Sequence, residues 1–213
     1  MATKNTKNHW VPKIFVSHPF GSVREDLDWR TRGHRYTVAM KLNEKLSAFW
    51  ERRSVRAYTN KPVSEEIIVD LLRAAMAAPS AAACDPWRFI VVQDPEMLQR
   101  MAAALPYGRM LAGAPAGFVV CGDLAAAHDG QLSYLLQDCS AAIENLLLAA
   151  HVLGLGACWL GVHPREERME ALRGLLGIPP SVIPVSAIAV GYPAEHKAPR
   201  TRHQGDYVHR NHW

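Results

Sequence analysis

Three features that would direct the protein to a membrane, to secretion or to zinc are missing from the 213-residue sequence. No apolar run approaches the ~18 residues that span a bilayer, and residues 1–10 lack the apolar core of a secretory signal. The four cysteines lie far apart without a C-x-x-C pair, which argues against zinc and fits reduced thiols. They are Cys84, Cys121, Cys139 and Cys158. We therefore predict a cytoplasmic protein with no metal site and no membrane partner.

A glycine-rich nucleotide-binding turn is also missing. The fingerprint G-x-G-x-x-G must follow a strand and open a helix, because its backbone cradles a pyrophosphate at the helix N-terminus. The sequence Gly154-Leu155-Gly156 instead follows a helical pattern and precedes a strand pattern. This order excludes a Rossmann core.

The positive charge is not distributed as a nucleic-acid surface requires. The formal net charge is +4, but residues 1–50 hold nine Lys and Arg against four acidic residues. Of the totals of 24 basic and 20 acidic side chains, 15 and 16 remain for residues 51–213. No basic stripe with interleaved aromatic residues crosses that part, so nucleic-acid binding is a weak hypothesis.

The remaining sequence reads as one α+β domain behind a polar N-terminal extension. Residues 1–40 show little periodicity and fit either a strand pair or a disordered arm. Helical patterns then alternate with apolar strand patterns at irregular spacing, which favours α+β over a regular α/β fold. The pattern over residues 131–153 is apolar nearly all round, so we expect a helix buried either centrally or by a second subunit.

A cluster of arginines follows the first helical pattern. The segment Arg52-Arg53-Ser54-Val55-Arg56 would span about one and a half helical turns. Guanidinium groups fork onto oxyanions, so the cluster suits a phosphate ester, although a solvated basic helix end has the same composition. A loop of small residues at 79–86 would let a flat ligand approach the backbone closely.

Five segments in the same order resemble the nitroreductase family of flavin enzymes. They are Arg52–Tyr58; Ala78-Pro79-Ser80-Ala81 with Pro86-Trp87-Arg88-Phe89; Gln137–Ala150; Gly154–Gly161; and Gly191-Tyr192-Pro193 with the tail Pro199–Arg202. The resemblance covers residues 44–213, which we identify as a nitroreductase-like FMN-binding domain. Residues 1–43 lie outside it as an extension of unknown role.

The resemblance implies a fold and an activity. The fold is α+β, with a central, mostly antiparallel sheet flanked by helices, in an intertwined homodimer with an exchanged C-terminal tail. FMN would sit at the subunit interface and pass hydride from NAD(P)H, through N5, to a nitroaromatic, a quinone or a similar small electrophile in a ping-pong cycle. The flavin carries this chemistry, so no catalytic side chain is assigned. Other flavin chemistry (dehydrogenation, dehalogenation or flavin fragmentation) and a non-catalytic flavin-binding module are the alternatives.

The resemblance also implies which residues contact the cofactor. They are Arg52, Arg53, Ser54, Arg56, Pro79, Ser80, Ala81, Ala83, Trp159, Leu160, Gly161, Arg200 and Arg202. The first three would meet the phosphate, ribityl chain and pyrimidine edge, and Arg53 or Arg56 would stabilise negative charge at N1 and O2. The two tail arginines would close on the phosphate, unless they are merely solvated.

The other implied contacts come from backbone. Pro79, Ser80 and the Ala81–Ala83 backbone would line the flavin from the neighbouring subunit. Trp159, Leu160 and Gly161 would offer N–H groups to N5 or O4, with plain core as the alternative for Trp159. One departure stands out: the Asn that the family carries after Pro-Ser is replaced here by Ala83, followed by Cys84 and Asp85. Asp85 would repel a phosphorylated cofactor unless it faces Arg88 or bonds a flavin N–H.

Overall fold

The structure, a computed structural model, describes residues 43–213. The extension predicted for residues 1–43 lies outside the described residues, apart from residue 43 itself. The helices are α1 (Ser47–Glu51), α2 (Glu65–Met76), α3 (Pro95–Ala104), α4 (Leu132–Val152) and α5 (Glu166–Leu176). The strands are β1 (Trp87–Val92), β2 (Ala116–Asp123), β3 (Gly156–Gly161) and β4 (Val182–Gly191). Short 3-10 turns lie at Glu44–Leu46, Ala81–Ala83, Arg109–Gly113, Leu124–Ala126, His128–Gly130 and Gly205–Tyr207.

The four strands form one antiparallel sheet in the order β1-β2-β4-β3. Trp87 pairs with Gly122, and Gly156 pairs with Gly191 at the other side of the sheet. The predicted α+β fold with a mostly antiparallel sheet is therefore confirmed. β3 is an edge strand, which leaves one row of its backbone groups for other partners.

Helices cover both faces of the sheet. Successive residues of β2 point to opposite sides, so Phe118 packs with α2 and α4 while Val119 packs with α3 and α5. α2 contributes an apolar stripe of Ile68, Leu71 and Ala75 to the first core. The result is a three-layer arrangement with two hydrophobic cores.

The ends of the helices follow local sequence signals. The Asp94 carboxylate accepts hydrogen bonds from the N–H groups of Glu96 and Met97, and Pro95 occupies the first helical position of α3. Gly177 ends α5 with a φ of 65°, the left-handed conformation that glycine tolerates best. Ser64 occupies the N-cap position of α2, but its side chain makes no cap hydrogen bond to the backbone of the helix.

The long apolar helix α4 lies against the sheet and α2, and it buries eight side chains. It nevertheless leaves apolar side chains in solvent at both ends, with Tyr134 39% and Val152 70% exposed. Central packing therefore accounts for only part of its apolar surface. Within residues 43–213, we find no helix with the length and apolar content that a bilayer crossing needs.

Candidate functional site

The arginine segment is extended and lies along the free edge of β3. α1 ends at Glu51, and Ser54 forms a parallel bridge to Ala157, whose carbonyl accepts the N–H of Val55 at 3.0 Å. An extended chain rises about 3.3 Å per residue where a helix rises about 1.5 Å. The helical spacing predicted for Arg52 and Arg56 is therefore wrong, and their Cα atoms are separated by roughly 13 Å instead of 6 Å.

The C-terminal tail runs antiparallel to this segment on the same chain. The Ala194 N–H bonds the Ala57 carbonyl at 2.9 Å, and the Arg200 N–H bonds the Trp50 carbonyl at 2.8 Å. Between them, Lys197 Nζ donates to the Ser54 carbonyl at 2.6 Å. These contacts carry the tail arginines to the start of the arginine segment.

The two basic segments line one cavity of about 320 Å³. It is bordered by Phe49, Trp50, Arg52, Arg53, Ser54, Arg200, Thr201 and Arg202. Five of the thirteen residues implied by the resemblance are thus brought together, although residues 54 and 200 are far apart in sequence. Among residues 43–213, no acidic side chain lines this cavity.

Two of the arginines in this cavity are anchored from outside it. Arg52 Nε lies 3.2 Å from Glu144 Oε1 of α4, but its N–H is buried and not aligned for a hydrogen bond. Arg53 Nη1 donates to the carbonyl of Ala198 in the tail. The cavity therefore contains oriented guanidinium groups with a positive charge in excess of the one nearby carboxylate, an arrangement suited to a phosphate.

Arg56 lies apart, beside the end of β3. It borders a second cavity of about 240 Å³ together with Trp159, Leu160 and Gly161. Because the Ala157 carbonyl faces the arginine segment, strand alternation turns the backbone groups of Trp159 and Gly161 to the same open edge. Trp159 is 38% exposed, so the plain-core alternative is wrong for it, whereas the Leu160 side chain is buried in the second core.

Glu195 and Lys197 fix this end of the arginine segment. Glu195 Oε1 accepts the Arg56 N–H at 2.6 Å and lies 2.8 Å from Lys197 Nζ. The hydrogen bond from Lys197, followed by that from the Arg56 backbone, holds the pKa of Glu195 below its ordinary value. Tyr58 adds a second tie by donating to the Val55 carbonyl at 2.6 Å, and burial raises the pKa of its phenol.

The small-residue loop has a left-handed backbone at three positions, and hydrogen bonds between Ser80 and Asp85 join its two ends. Ala82, Ala83 and Asp85 have φ values of 51°, 55° and 48°, a region that costs non-glycine residues about 1–2 kcal/mol each. The Ser80 hydroxyl donates to Asp85 Oδ1 at 2.5 Å and accepts the Asp85 N–H at 3.1 Å. The Asp85 carboxylate is thus engaged by Ser80, and the Arg88 guanidinium contacts Asp85 through the backbone carbonyl, to which Nη1 donates at 3.3 Å.

Two further ion and hydrogen-bond pairs complete that region. Arg88 forms an ion pair with Asp123 at 3.0 Å. Asp138, a buried residue of α4, anchors the loop by accepting the Ala81 N–H at 3.0 Å. Its other carboxylate oxygen has no hydrogen-bond partner in the described part of the chain. The loop, with Pro79 and Ser80, lines neither of the two cavities described above. The structure of this one chain thus separates four implied cofactor contacts, Pro79, Ser80, Ala81 and Ala83, from the other nine.

Sequence reasoning missed the residues that position the site: Asp138, Glu144, Glu195 and Lys197. A signal existed for Asp138 and Glu144, because both interrupt an apolar helical pattern. The tail carries no periodic pattern, and its contacts bridge about 140 residues, so no local signal marked the other two.

We also searched residues 43–213 for a nucleophilic cysteine and for a metal site. Burial raises the pKa of the Cys121 and Cys139 thiols to about 12, which fits small apolar residues better than nucleophiles. In the part of the chain described, residues 43–213, no three His, Cys, Asp or Glu side chains come together as a metal site would require.

Comparisons with known proteins agree with this architecture. The family model described as "Nitroreductase family" matches residues 50–106 and 99–192. A relative from Archaeoglobus fulgidus, provisionally named NADH dehydrogenase/NAD(P)H nitroreductase, is 47% identical over 175 residues, covering 81% of this chain and 100% of the relative.

Two solved structures share the fold. A provisionally named NADH dehydrogenase/NAD(P)H nitroreductase from Parabacteroides distasonis superposes with a TM-score of 0.75 at 41% identity, covering 81% of this chain and 100% of the other. A Desulfovibrio desulfuricans protein, provisionally named a nitroreductase and solved in complex with FMN, gives a TM-score of 0.69 at 33% identity, with coverages of 81% and 99%. The chain belongs to the nitroreductase family.

Proposed function

We propose that the protein is an FMN-dependent oxidoreductase that transfers hydride from NAD(P)H to a nitroaromatic, a quinone or a similar small electrophile in a ping-pong cycle. The observation that carries the proposal is the cavity in which Arg52, Arg53 and Ser54 meet Arg200 and Arg202. The solved relative that contains FMN supports the choice of cofactor. When bound, FMN supplies the two-electron hydride chemistry.

The phosphate of FMN fits the arginine cavity. Four guanidinium groups face it and only Arg52 has a carboxylate within 4 Å among residues 43–213, namely Glu144. Guanidinium groups can each donate two parallel N–H···O bonds to a phosphate, so a phosphate among these arginines would be bound by charge-assisted hydrogen bonds. The Ser54 hydroxyl adds a neutral donor beside these charges.

The flavin ring fits the edge of β3. The path from the Ser54–Ala157 bridge to Gly161 is four residues, or roughly 13 Å, along the edge of β3 that faces away from β4. The N–H groups of Trp159 and Gly161 would donate to ring acceptors, and the Arg56 guanidinium would favour negative charge on the pyrimidine edge. Leu160 would support this edge from the core.

A second copy of the chain would complete the site. The Pro79–Ala83 loop borders neither cavity of its own chain, so its proposed contact with the flavin requires a partner subunit. The exposed apolar ends of α4, which include Tyr134 and Val152, supply surface for such an interface. Residues 203–213 are exposed throughout and would form the arm exchanged between subunits.

The proposal is tested by absorbance and by reduction. The purified full chain, reconstituted with FMN and desalted, should retain one FMN per subunit, and anaerobic addition of NADH or NADPH should bleach its visible absorbance. Retention without bleaching would favour a non-catalytic flavin-binding module. Failure to retain FMN would reject the cofactor assignment itself.

A further inference from the structure

The cavity beside Arg56 contains a second guanidinium that the cofactor assignment does not use. Arg168 of α5 borders this cavity together with Arg56 and Tyr107. The cavity volume is about 240 Å³. Leu105 and Met110 provide apolar walls.

The Arg168 side chain is oriented by the protein. Its Nη1 donates to the Gly161 carbonyl at 2.9 Å, and its guanidinium carbon lies 5.9 Å from the centre of the Tyr107 ring. A guanidinium held in this way keeps unused donors in a fixed direction, which lowers the entropy cost of binding an anion.

No carboxylate balances the charge of this cavity. Neither Arg56 nor Arg168 forms an ion pair with an acidic residue among residues 43–213, and no Asp or Glu borders the cavity. Glu195, the nearest acid to Arg56, is engaged by the Arg56 backbone and by Lys197. One positive charge can serve the flavin edge, which leaves that of Arg168 for another molecule.

We infer that this cavity selects an anionic aromatic acceptor, with Arg168 binding its carboxylate or phenolate group and Tyr107 covering its ring. The inference rests on the proposed function, because it assigns the acceptor that would stand beside the FMN ring. It adds a specificity-determining residue that lies outside the arginine segment and the tail.

Binding to the oxidised, FMN-loaded enzyme tests the inference without turnover. Benzoate and benzamide have nearly the same shape and differ in charge, and neither accepts hydride. Their dissociation constants can be measured by the perturbation of the flavin spectrum or by calorimetry. A charge-assisted hydrogen bond favours benzoate by roughly ten- to hundredfold.

Variants assign that preference to Arg168. We expect R168Q to lower the benzoate preference to near unity, while R168K retains part of it. The affinities for benzamide and for FMN should stay within about threefold of wild type, because Arg168 does not border the phosphate cavity. The matched control is R165Q, which removes an exposed charge from the start of the same helix and should change neither constant.

The outcomes separate this inference from the proposed function. Equal binding of benzoate and benzamide to wild-type holoenzyme, or a benzoate preference that survives R168Q, would overturn the inference while leaving FMN binding intact. Loss of FMN affinity in R168Q would overturn it by assigning Arg168 to the cofactor. Absence of FMN binding to the wild type would reject the proposed function itself.

Discussion

Arg52, Arg53 and Arg56 lie within five residues, yet each side chain has a different environment. Arg52 approaches Glu144, Arg53 donates to the tail carbonyl of Ala198, and Arg56 faces the cavity at the end of β3. The extended backbone turns the Arg52 and Arg53 side chains to opposite sides, and it places Arg56 roughly 13 Å from Arg52 along the chain. In our proposal, the segment therefore contacts the phosphate with one end and the ring with the other.

At the residue scale, Ala83 is expected to carry backbone strain. Its φ of 55° costs about 1–2 kcal/mol for alanine in the folded state. Glycine adopts this φ without that cost, but it loses about 0.5–1 kcal/mol more conformational entropy on folding. A83G should therefore raise the free energy of unfolding by about 0.5–1 kcal/mol in denaturant titrations.

Ala81, two residues earlier in the same loop, is the control for that prediction. Ala81 is not among the residues with positive φ, so A81G gains no relief and should lower the free energy of unfolding by about 0.5–1 kcal/mol. Equal destabilisation by both substitutions would show that the left-handed conformation at residue 83 stores no strain.

Glu195 should make stability depend on pH. Its pKa in the folded state is below the ordinary 4.5, because Lys197 and the Arg56 N–H favour the carboxylate. The carboxylate therefore stabilises the folded state above about pH 4.5, and this contribution is lost as the pH falls through the lowered pKa. E195Q should be less stable than wild type at pH 7, and the difference should vanish toward about pH 3.

Urea unfolding at a series of pH values measures this effect. The control is E195Q in a K197M background, where the main partner is gone and the substitution should cost less at pH 7. A stability difference that stays constant from pH 7 to pH 3 would contradict the role given to Glu195.

At the element scale, the contact between the arginine segment and β3 depends on Gly156. A Cβ atom at this position would lie 2.6 Å from Val55 Cβ, closer than real side chains approach. G156A should therefore displace the segment that contains Ser54, lower stability by about 1–3 kcal/mol and weaken FMN binding. Thermal unfolding and FMN titration measure the two effects.

Gly174 is a matched control on α5. An added Cβ would meet nothing within 4 Å there, so G174A should raise stability by up to about 1 kcal/mol through helix propensity and leave FMN affinity unchanged. Wild-type stability and FMN affinity in G156A would show that the segment does not depend on this close approach.

The elements could be predicted where local chemistry determines them. The Asp94-Pro95 pair marks the start of α3. The apolar pattern over residues 131–153 predicted a helix, and α4 is observed at Leu132–Val152. Both signals act within a few residues. The extended conformation of residues 52–58 could not be predicted, since it depends on pairing with Ala157 and with the tail. The roles of Glu195 and Lys197 could not be predicted either, because their contacts are with residues far away in the sequence. The resemblance to a family indicated Arg200 and Arg202.

At the scale of the whole molecule, the proposed FMN site requires a dimer, because two subunits would contribute to it. Val152, at the end of α4, is 70% exposed, and we assign it to the subunit interface. V152D should shift the sedimentation equilibrium toward monomer and reduce FMN retention, because the Pro79–Ala83 loop of the partner would be lost. M76D removes a 51% exposed apolar side chain at the end of α2 and serves as the control. A wild-type monomer with full FMN occupancy would contradict the shared site.

In our proposal, the arginine cavity binds the phosphate of FMN. FMN titration of an R52A/R53A variant measures how much of the FMN affinity depends on this cavity. Two charge-assisted contacts predict an FMN dissociation constant about a hundredfold or more above that of wild type. The control R73A/R165A removes the same net charge from two exposed positions, one on α2 and one just before α5, and should bind FMN as wild type does. Wild-type FMN affinity in R52A/R53A, with the fold intact by circular dichroism, would contradict the account.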